Sequence, residues 1–404
     1  MYELLAIFAI FTLLYSATAG GISRTPISGA IIFTAFGLLA GPLFLGWLHL
    51  DIDSEGLRSV AEVTLAVVLF TDAANADLGV LRRSSGIPER LLLIGLPLTI
   101  LLGYFAGGVI FPQFGLLELA ILATMLAPTD AALGAAVVAD KKVPANIRQG
   151  LNVESGLNDG ICVPILFLFL ALAAESNFDG GTTQLALRLF AEEIGIGAVV
   201  GITLAFATAR FLKFCVARDW ITDTWRQLPV IALAIACFSL AQYFGGSGFI
   251  ASFVGGLVWG GLSKVHKEQF LLAAEGTGET LGLITWIIFG AAVVGHSFHE
   301  FTWEVLIYAL LSLTVVRMIP VFLVLTGTGL RTSEKLFVSW FGPRGLASIV
   351  FGVIVVTADL PHEDLIANTV VATIILSVLL HGLSANPLVA ALSKRLASST
   401  TSKT

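Results

Sequence analysis

Apolar runs of about 20 residues alternate with short polar stretches along the whole chain, and each run has the length a helix needs to cross a lipid bilayer. Cut at the polar punctuation, the sequence predicts thirteen spans, at about 2–19, 27–47, 57–79, 91–111, 116–139, 149–174, 187–212, 227–244, 248–264, 278–297, 303–327, 334–358 and 364–392. The first run opens on Met1-Tyr2-Glu3 without a basic flank, so it reads as a retained span rather than a cleaved leader. The expected fold class is therefore an all-α polytopic membrane protein. Composition agrees: 12% of the 404 residues are charged, where a soluble domain carries about 25%. The three cysteines (Cys162, Cys215, Cys237) lie in or beside apolar runs and suggest neither a disulfide framework nor a metal site.

Charge placement orients the chain. All but four of the 22 lysines and arginines fall in loops on one side, including Arg82, Arg83, Arg90, Lys141, Lys142, Arg148, Arg210, Lys213, Arg331, Lys335, Lys394 and Arg395. The opposite loops carry Asp51, Asp53, Glu175, Asp179, Glu300 and Asp364 instead. By the positive-inside rule the N-terminus is expected outside and the C-terminus in the cytoplasm. Of the remaining four, Arg58 and Arg188 sit at outer span ends, where they can snorkel. Arg317 and Arg344 lie inside spans 11 and 12. An arginine does not shed its charge, so each needs a buried acidic or carbonyl partner.

Two spans are interrupted by proline: span 5 at Ala127-Pro128-Thr129-Asp130 and span 12 at Phe341-Gly342-Pro343-Arg344-Gly345. They stand seven spans apart, hence in opposite orientation. Each is the fifth member of a six-span set, one over about 1–174 and the other over about 227–392, with 187–212 as the joint and 393–404 as a short cytoplasmic tail. Interrupted helices at matching places in two inverted halves are the pattern of a secondary transporter, because freed backbone groups are tolerable at membrane depth only where they line a cavity.

The acids of 127–160 carry the chemistry, since an ionisable residue at membrane depth is by default functional. At about 1.5 Å per residue, Asp159 lies roughly 15 Å into span 6, near the midplane, and Asp130 reaches a similar depth from the other side. Ser155 and Asp159 share a helix face at i,i+4, as do Glu154 and Asn158. Asp130, Asp159, the Ser155 hydroxyl and the freed Thr129 carbonyl would together offer hard oxygen ligands, suited to an unhydrated alkali cation or a proton. Burial favours a protonated carboxylic acid and a nearby cation favours the ionised one, so proton and cation compete. Glu154 matches Arg317 in depth, which predicts a buried structural pair, with Arg344 as the other possible partner.

Glu154-Ser155 followed by Asn158-Asp159, the Pro128-Thr129-Asp130 kink, Arg317-x-x-Pro320, Gly342-Pro343-Arg344-Gly345 and His381-Gly382-Leu383-Ser384 together resemble the NhaP/NHE-type sodium/proton antiporters, over the whole thirteen-span core. The resemblance implies inverted repeats whose helices 5 and 12 cross at their unwound middles, a homodimer, and a core that moves against a dimerisation domain. It implies Asp159 and Asp130 as ion-site carboxylates, Thr129 and Ser155 as further ligands, Glu154 with Arg317 as the buried pair, and Arg344 beside the helix crossing. Asn158 in place of a second aspartate resembles the electroneutral branch. Members of this group often carry an acid late in span 3; here Asp72 either joins the site or faces the cytoplasmic funnel.

The expected activity is electroneutral exchange of a monovalent cation, Na⁺ with K⁺ and Li⁺ as the other options, for a proton across the cell (inner or plasma) membrane. No cofactor, no enzymatic reaction and no regulatory tail after the last span are expected. Two rival readings remain: a coupled organic-anion symporter on a similar fold, and an intramembrane aspartyl protease using Asp130 and Asp159. His296 and His299 stand at metal-binding spacing, with an interfacial role as the simpler reading. Gly245-Gly246-Ser247-Gly248 reads as a tight outer turn rather than a phosphate loop, since no Lys-Ser/Thr follows it.

Overall fold

The computed structural model describes residues 2–22, 25, 27–48, 55–76, 86–130, 133–138, 140–176, 183–263, 267–297, 300–358 and 360–401. Asp51, Asp53, Arg82, Arg83, Asp179 and His299, each weighed above, lie outside these residues. Secondary structure among them is helical throughout. In chain order the helices are α1 (Tyr2–Ile22), α2 (Gly29–Ala40), α3 (Glu55–Asn75), α4 (Ile87–Ile110), α5 (Leu116–Met125), α6 (Ala135–Val138), α7 (Ala145–Ser176), α8 (Thr183–Ala217), α9 (Pro229–Tyr243), α10 (Gly248–Leu262), α11 (267–297), α12 (Trp303–Val324), α13 (Thr332–Trp340), α14 (Leu346–Val356) and α15 (Glu363–Thr401). Among the described residues, seven helical stretches are long and apolar enough to cross a membrane; α2, α5, α10 and α14 are apolar but shorter.

Several helices depart from the apolar runs, for local reasons. The run at 27–47 is helical only to Ala40, because Gly41 precedes Pro42 and adopts extended ψ, and Gly46 then turns with φ of 63°. Helices α7, α8 and α15 overshoot their runs at both ends, and α15 continues through 393–401, which the sequence assigned to a tail. An apolar run marks what lipid tolerates, whereas the backbone ladder continues into polar sequence. The prolines also act locally. Pro97 and Pro320 each follow a π-helical turn, Leu91–Gly95 and Ser312–Val316. That turn relieves the clash of a proline ring with the carbonyl four residues earlier.

Glycine sets how closely the helices approach. A Cβ on Gly256 or Gly260 of α10 would run into the backbone carbonyls of Phe70 and Ala74 of α3, and one on Gly201 of α8 into the Ala251 carbonyl of α10. Small residues at such spacing let helix backbones meet where lipid supplies no hydrophobic drive for association. Gly37 of α2 and Gly290 of α11 interlock in the same way, each over a carbonyl of the other helix. These contacts assemble α2, α3, α8, α9, α10 and α11 on one side. On the other, α4, α5, α12, α13, α14 and α15 pack around α7, which touches both sets. Large side chains such as Leu93, Phe105, Val109, Val199 and Phe211 face outward, as a lipid-facing surface requires.

Replacing Gly256 by valine is expected to lower stability by about 1–3 kcal/mol, the usual cost of overpacking, whereas Gly261→Val, which points into open space, leaves it unchanged. Thermal unfolding midpoints of the two variants in detergent check this pair.

Candidate functional site

The interruption between α5 and α6 and the one between α13 and α14 lie against each other, and their backbones bond directly: the Asp130 N–H donates to the Pro343 carbonyl at 2.7 Å. A helix end inside an apolar bundle leaves carbonyls or N–H groups without partners, and the two ends carry opposite partial charges. Both are compensated here by side chains from the facing segment. At the carboxyl end of α5, Arg344 Nη1 donates to the carbonyls of Ala127 (2.6 Å) and Pro128 (2.9 Å). At the amino end of α14, Asp130 Oδ2 accepts the Leu346 N–H (2.9 Å), while Oδ1 accepts that of Leu133 (3.0 Å). Ser348 Oγ adds a bond to the Met125 carbonyl (2.8 Å).

This explains the glycines of Gly342-Pro343-Arg344-Gly345. A Cβ on Gly345 would overlap the Asp130 carboxylate, and one on Gly342 would meet the Arg317 guanidinium and the Thr129 methyl group. Asp130 thus has a fastening role that the ligand assignment had not anticipated. Each of its oxygens keeps a lone pair, so the fastening does not use up its capacity to bind a cation.

Glu154 and Arg317 form a two-pronged pair, Nη1 to Oε1 at 2.5 Å and Nη2 to Oε2 at 2.9 Å, with both side chains buried. The choice of partner thus falls to Arg317, whereas Arg344 bonds the carbonyls of Ala127 and Pro128. Arg317 follows directly on the π-helical turn Ser312–Val316.

Next to this pair, Asn158 Nδ2 donates to Thr129 Oγ1 (2.7 Å), which in turn bonds the Ser155 hydroxyl (3.0 Å). The structure therefore brings Thr129, Ser155 and Asn158 together, with Asp159 next to Asn158 along α7, all four buried. Among the described residues, Asp159 Oδ1 and Asn158 Oδ1 are buried without a hydrogen-bond partner. Asp130 and Asp72 are the acids whose fields reach Asp159. Gly160, the next residue, lies under the ring of Phe253 from α10, so close that a Cβ would overlap it.

Asp72 is half-buried and stands on the wall of a bay of about 290 Å³, with Asn75, Asn152, Gly156 and Glu275. Asn75 donates to Glu275 at 2.5 Å across it. Among the described residues no group of three or more His, Cys, Asp and Glu side chains is arranged to hold a metal ion, and the three cysteines are buried and unbonded. The sequence reading missed Ser348 and Ser377 at the crossing, and gave His381 no task. Their signal is weak: a lone hydroxyl or imidazole in an apolar run, without a nearby partner in sequence.

Removing one member of the Glu154–Arg317 pair leaves the other charge buried and uncompensated, at a cost of about 3–5 kcal/mol. Glu154→Ala and Arg317→Ala should each sharply lower the yield of folded protein, and Glu154→Gln should lower its unfolding midpoint. The double variant Glu154→Ala/Arg317→Ala should be less damaged than the sum of the two, and purely additive losses would show that the pair carries no coupling.

Comparison with known proteins extends this picture over the whole chain. The K(+)/H(+) antiporter NhaP of Alkalimonas amylolytica is 23% identical over 359 residues, 88% of this chain and 61% of that protein. A Na(+)/H(+) antiporter of Schizosaccharomyces pombe is 27% identical over 257 residues, 59% of this chain and 54% of the relative. The chain thus spans less than two thirds of the length of these relatives. The structure of the sodium proton antiporter MjNhaP1 from Methanocaldococcus jannaschii at pH 8 superimposes with a TM-score of 0.77 at 21% identity, covering 97% of this chain and 99% of that one. The model of the family described as sodium/hydrogen exchanger, transmembrane, matches residues 7–391, and the chain belongs to that family.

Proposed function

We propose that the protein is a monovalent cation:proton antiporter in which Asp159 carries the proton one way and the cation the other. The observation that carries this reading is the buried Asp159 oxygen without a partner. The other charged side chains at the crossing each have hydrogen-bond partners: Glu154 with Arg317, Arg344 with the carbonyls of Ala127 and Pro128, Asp130 with the amides of Leu346 and Leu133. An isolated carboxylate in such a place is costly as an anion, so it holds either a proton or a cation. The carbonyl of Thr129, the Ser155 hydroxyl and the spare lone pairs of Asp130 complete an oxygen set for an alkali cation. A cation that arrives displaces the Asp159 proton, and a proton that arrives displaces the cation. With Asn158 beside it in place of a second acid, one proton leaves per cation and the exchange is electroneutral.

The same reading orders the rest of the chain. Its thirteen spans form two inverted six-span repeats, about 1–174 and 227–392, joined by the span at 187–212. The N-terminus lies outside and the C-terminus in the cytoplasm, in the cell membrane. The bay beside Asp72 then opens to the cytoplasm and leads to Asp159, with Asp72 on the approach. The protein works as a homodimer whose core, built around the crossing, moves against the glycine-packed set. The two relatives are named for K⁺ and for Na⁺, so both ions belong in the test.

Reconstituted into liposomes with a preset pH gradient, the protein should dissipate it on addition of NaCl, KCl or LiCl, with the response unaltered when valinomycin and K⁺ clamp the voltage. Asp159→Asn should abolish it. Lowering the pH should raise the apparent KM for the cation by up to about tenfold per unit, the limit when one proton competes with one cation. No response to any alkali cation would falsify the antiport reading and bring an organic-anion symporter forward.

A further inference from the structure

The motif His381-Gly382-Leu383-Ser384 has no part in the reading above. With Ser377 it places three polar side chains at i, i+4 and i+7 on one face of α15, and that face lies against the gap between α13 and α14. His381 is buried, with Nε2 at 3.0 Å from the carbonyl of Trp340, the last residue of α13. Its Nδ1 faces the carbonyl (2.9 Å) and the hydroxyl (3.3 Å) of Ser377. Ser377 Oγ accepts the Arg344 N–H at 2.6 Å, on the far side of the gap. The Trp340 ring stacks on the imidazole, with centroids 5.0 Å apart, and its indole N–H donates to Ser384 Oγ at 2.9 Å.

These bonds replace what the helix loses. Pro343 offers no N–H, and residues 341–345 are not helical, so the Trp340 carbonyl and the Arg344 amide lack helical partners. The Trp340 carbonyl takes the Gly342 N–H (2.9 Å) on one lone pair and faces His381 with the other. A carbonyl only accepts and a neutral imidazole has one proton, so the ring donates either from Nε2 to Trp340, with the Ser377 hydroxyl donating to Nδ1, or from Nδ1 to the Ser377 carbonyl. With the proton on Nε2 the outcome is one chain of donors and acceptors, from Arg344 N–H through Ser377 and His381 to Trp340, that ties both banks of the gap to α15.

We propose that His381 is a positioning residue of the exchanger: by bridging Trp340 and, through Ser377, Arg344, it sets the width of the gap and hence the reach of the Arg344 guanidinium to the carbonyls of Ala127 and Pro128. The proposal rests on the antiport reading for its effect on transport, but its structural part can be tested without transport. The variants are His381→Ala, His381→Gln, whose amide nitrogen can take the place of Nε2, and Ser377→Ala, which removes the bond to Arg344 while keeping the ring.

Two readouts are taken on protein that elutes as folded: amide hydrogen exchange of the peptide covering 341–346, and the KM and maximal rate for Na⁺ in proteoliposomes. His381→Ala and Ser377→Ala should each speed exchange of that peptide at least tenfold and raise the KM several-fold, and His381→Gln should restore both toward the parent values. If His381→Ala does not fold, Ser377→Ala against the parent decides alone. Parent-like exchange and KM in the alanine variants would overturn the proposal, as would a glutamine variant no better than alanine. If the parent itself moves no cation while the exchange pattern holds, the antiport reading fails and the clasp stands.

Discussion

A backbone polar group at membrane depth must find a partner within the protein, and two interrupted helices place several such groups in one small volume. The rest of the site follows from how they are met. The carboxyl end of α5 and the amino end of α14 each receive a charged side chain from the opposite interruption, Arg344 for one and Asp130 for the other. Because each charge answers a helix end, neither needs a counter-ion of its own. The direct bond from the Asp130 N–H to the Pro343 carbonyl then fixes the two interruptions to each other.

Glu154 and Arg317 obey a different logic. A buried pair of this kind contributes little net stability compared with apolar side chains of the same size. Its value is geometric: it ties α7, which carries Ser155, Asn158 and Asp159, to α12, and removes two charges from competition with Asp159. The π-helical turn just before Arg317 offers a reason for its aim, since an extra residue in the turn rotates whatever follows it.

Much of this was legible in the sequence because lipid is an unforgiving solvent. Long apolar runs can only be helices, so the helical class was plain, and charges within them stood out. Asp130, Glu154, Asp159, Arg317 and Arg344 were all visible for that reason, and depth matching alone put Glu154 beside Arg317 or Arg344. What stayed hidden depends on contacts between distant segments. Nothing local marks Ser348 as the partner of the Met125 carbonyl, or Ser377 as the partner of the Arg344 amide. The capping use of Asp130 was equally invisible, because it depends on where α14 begins relative to α5. Helix ends were misjudged wherever hydropathy and hydrogen bonding part company, as at Ala40 and along 393–401.

The glycines of α7 carry a last consequence. Gly156 faces the backbone of Asp72, and Gly160 lies flat under the Phe253 ring. At these two positions α7 presents backbone rather than a side-chain knob, to α3 at Gly156 and to α10 at Gly160. Interlocked knobs must climb over one another for any axial shift, whereas a ring resting on bare backbone can slide with only a gradual loss of dispersion contact. The surface next to Asp159 therefore lacks, at these two positions, the teeth that would hold α7 at one height.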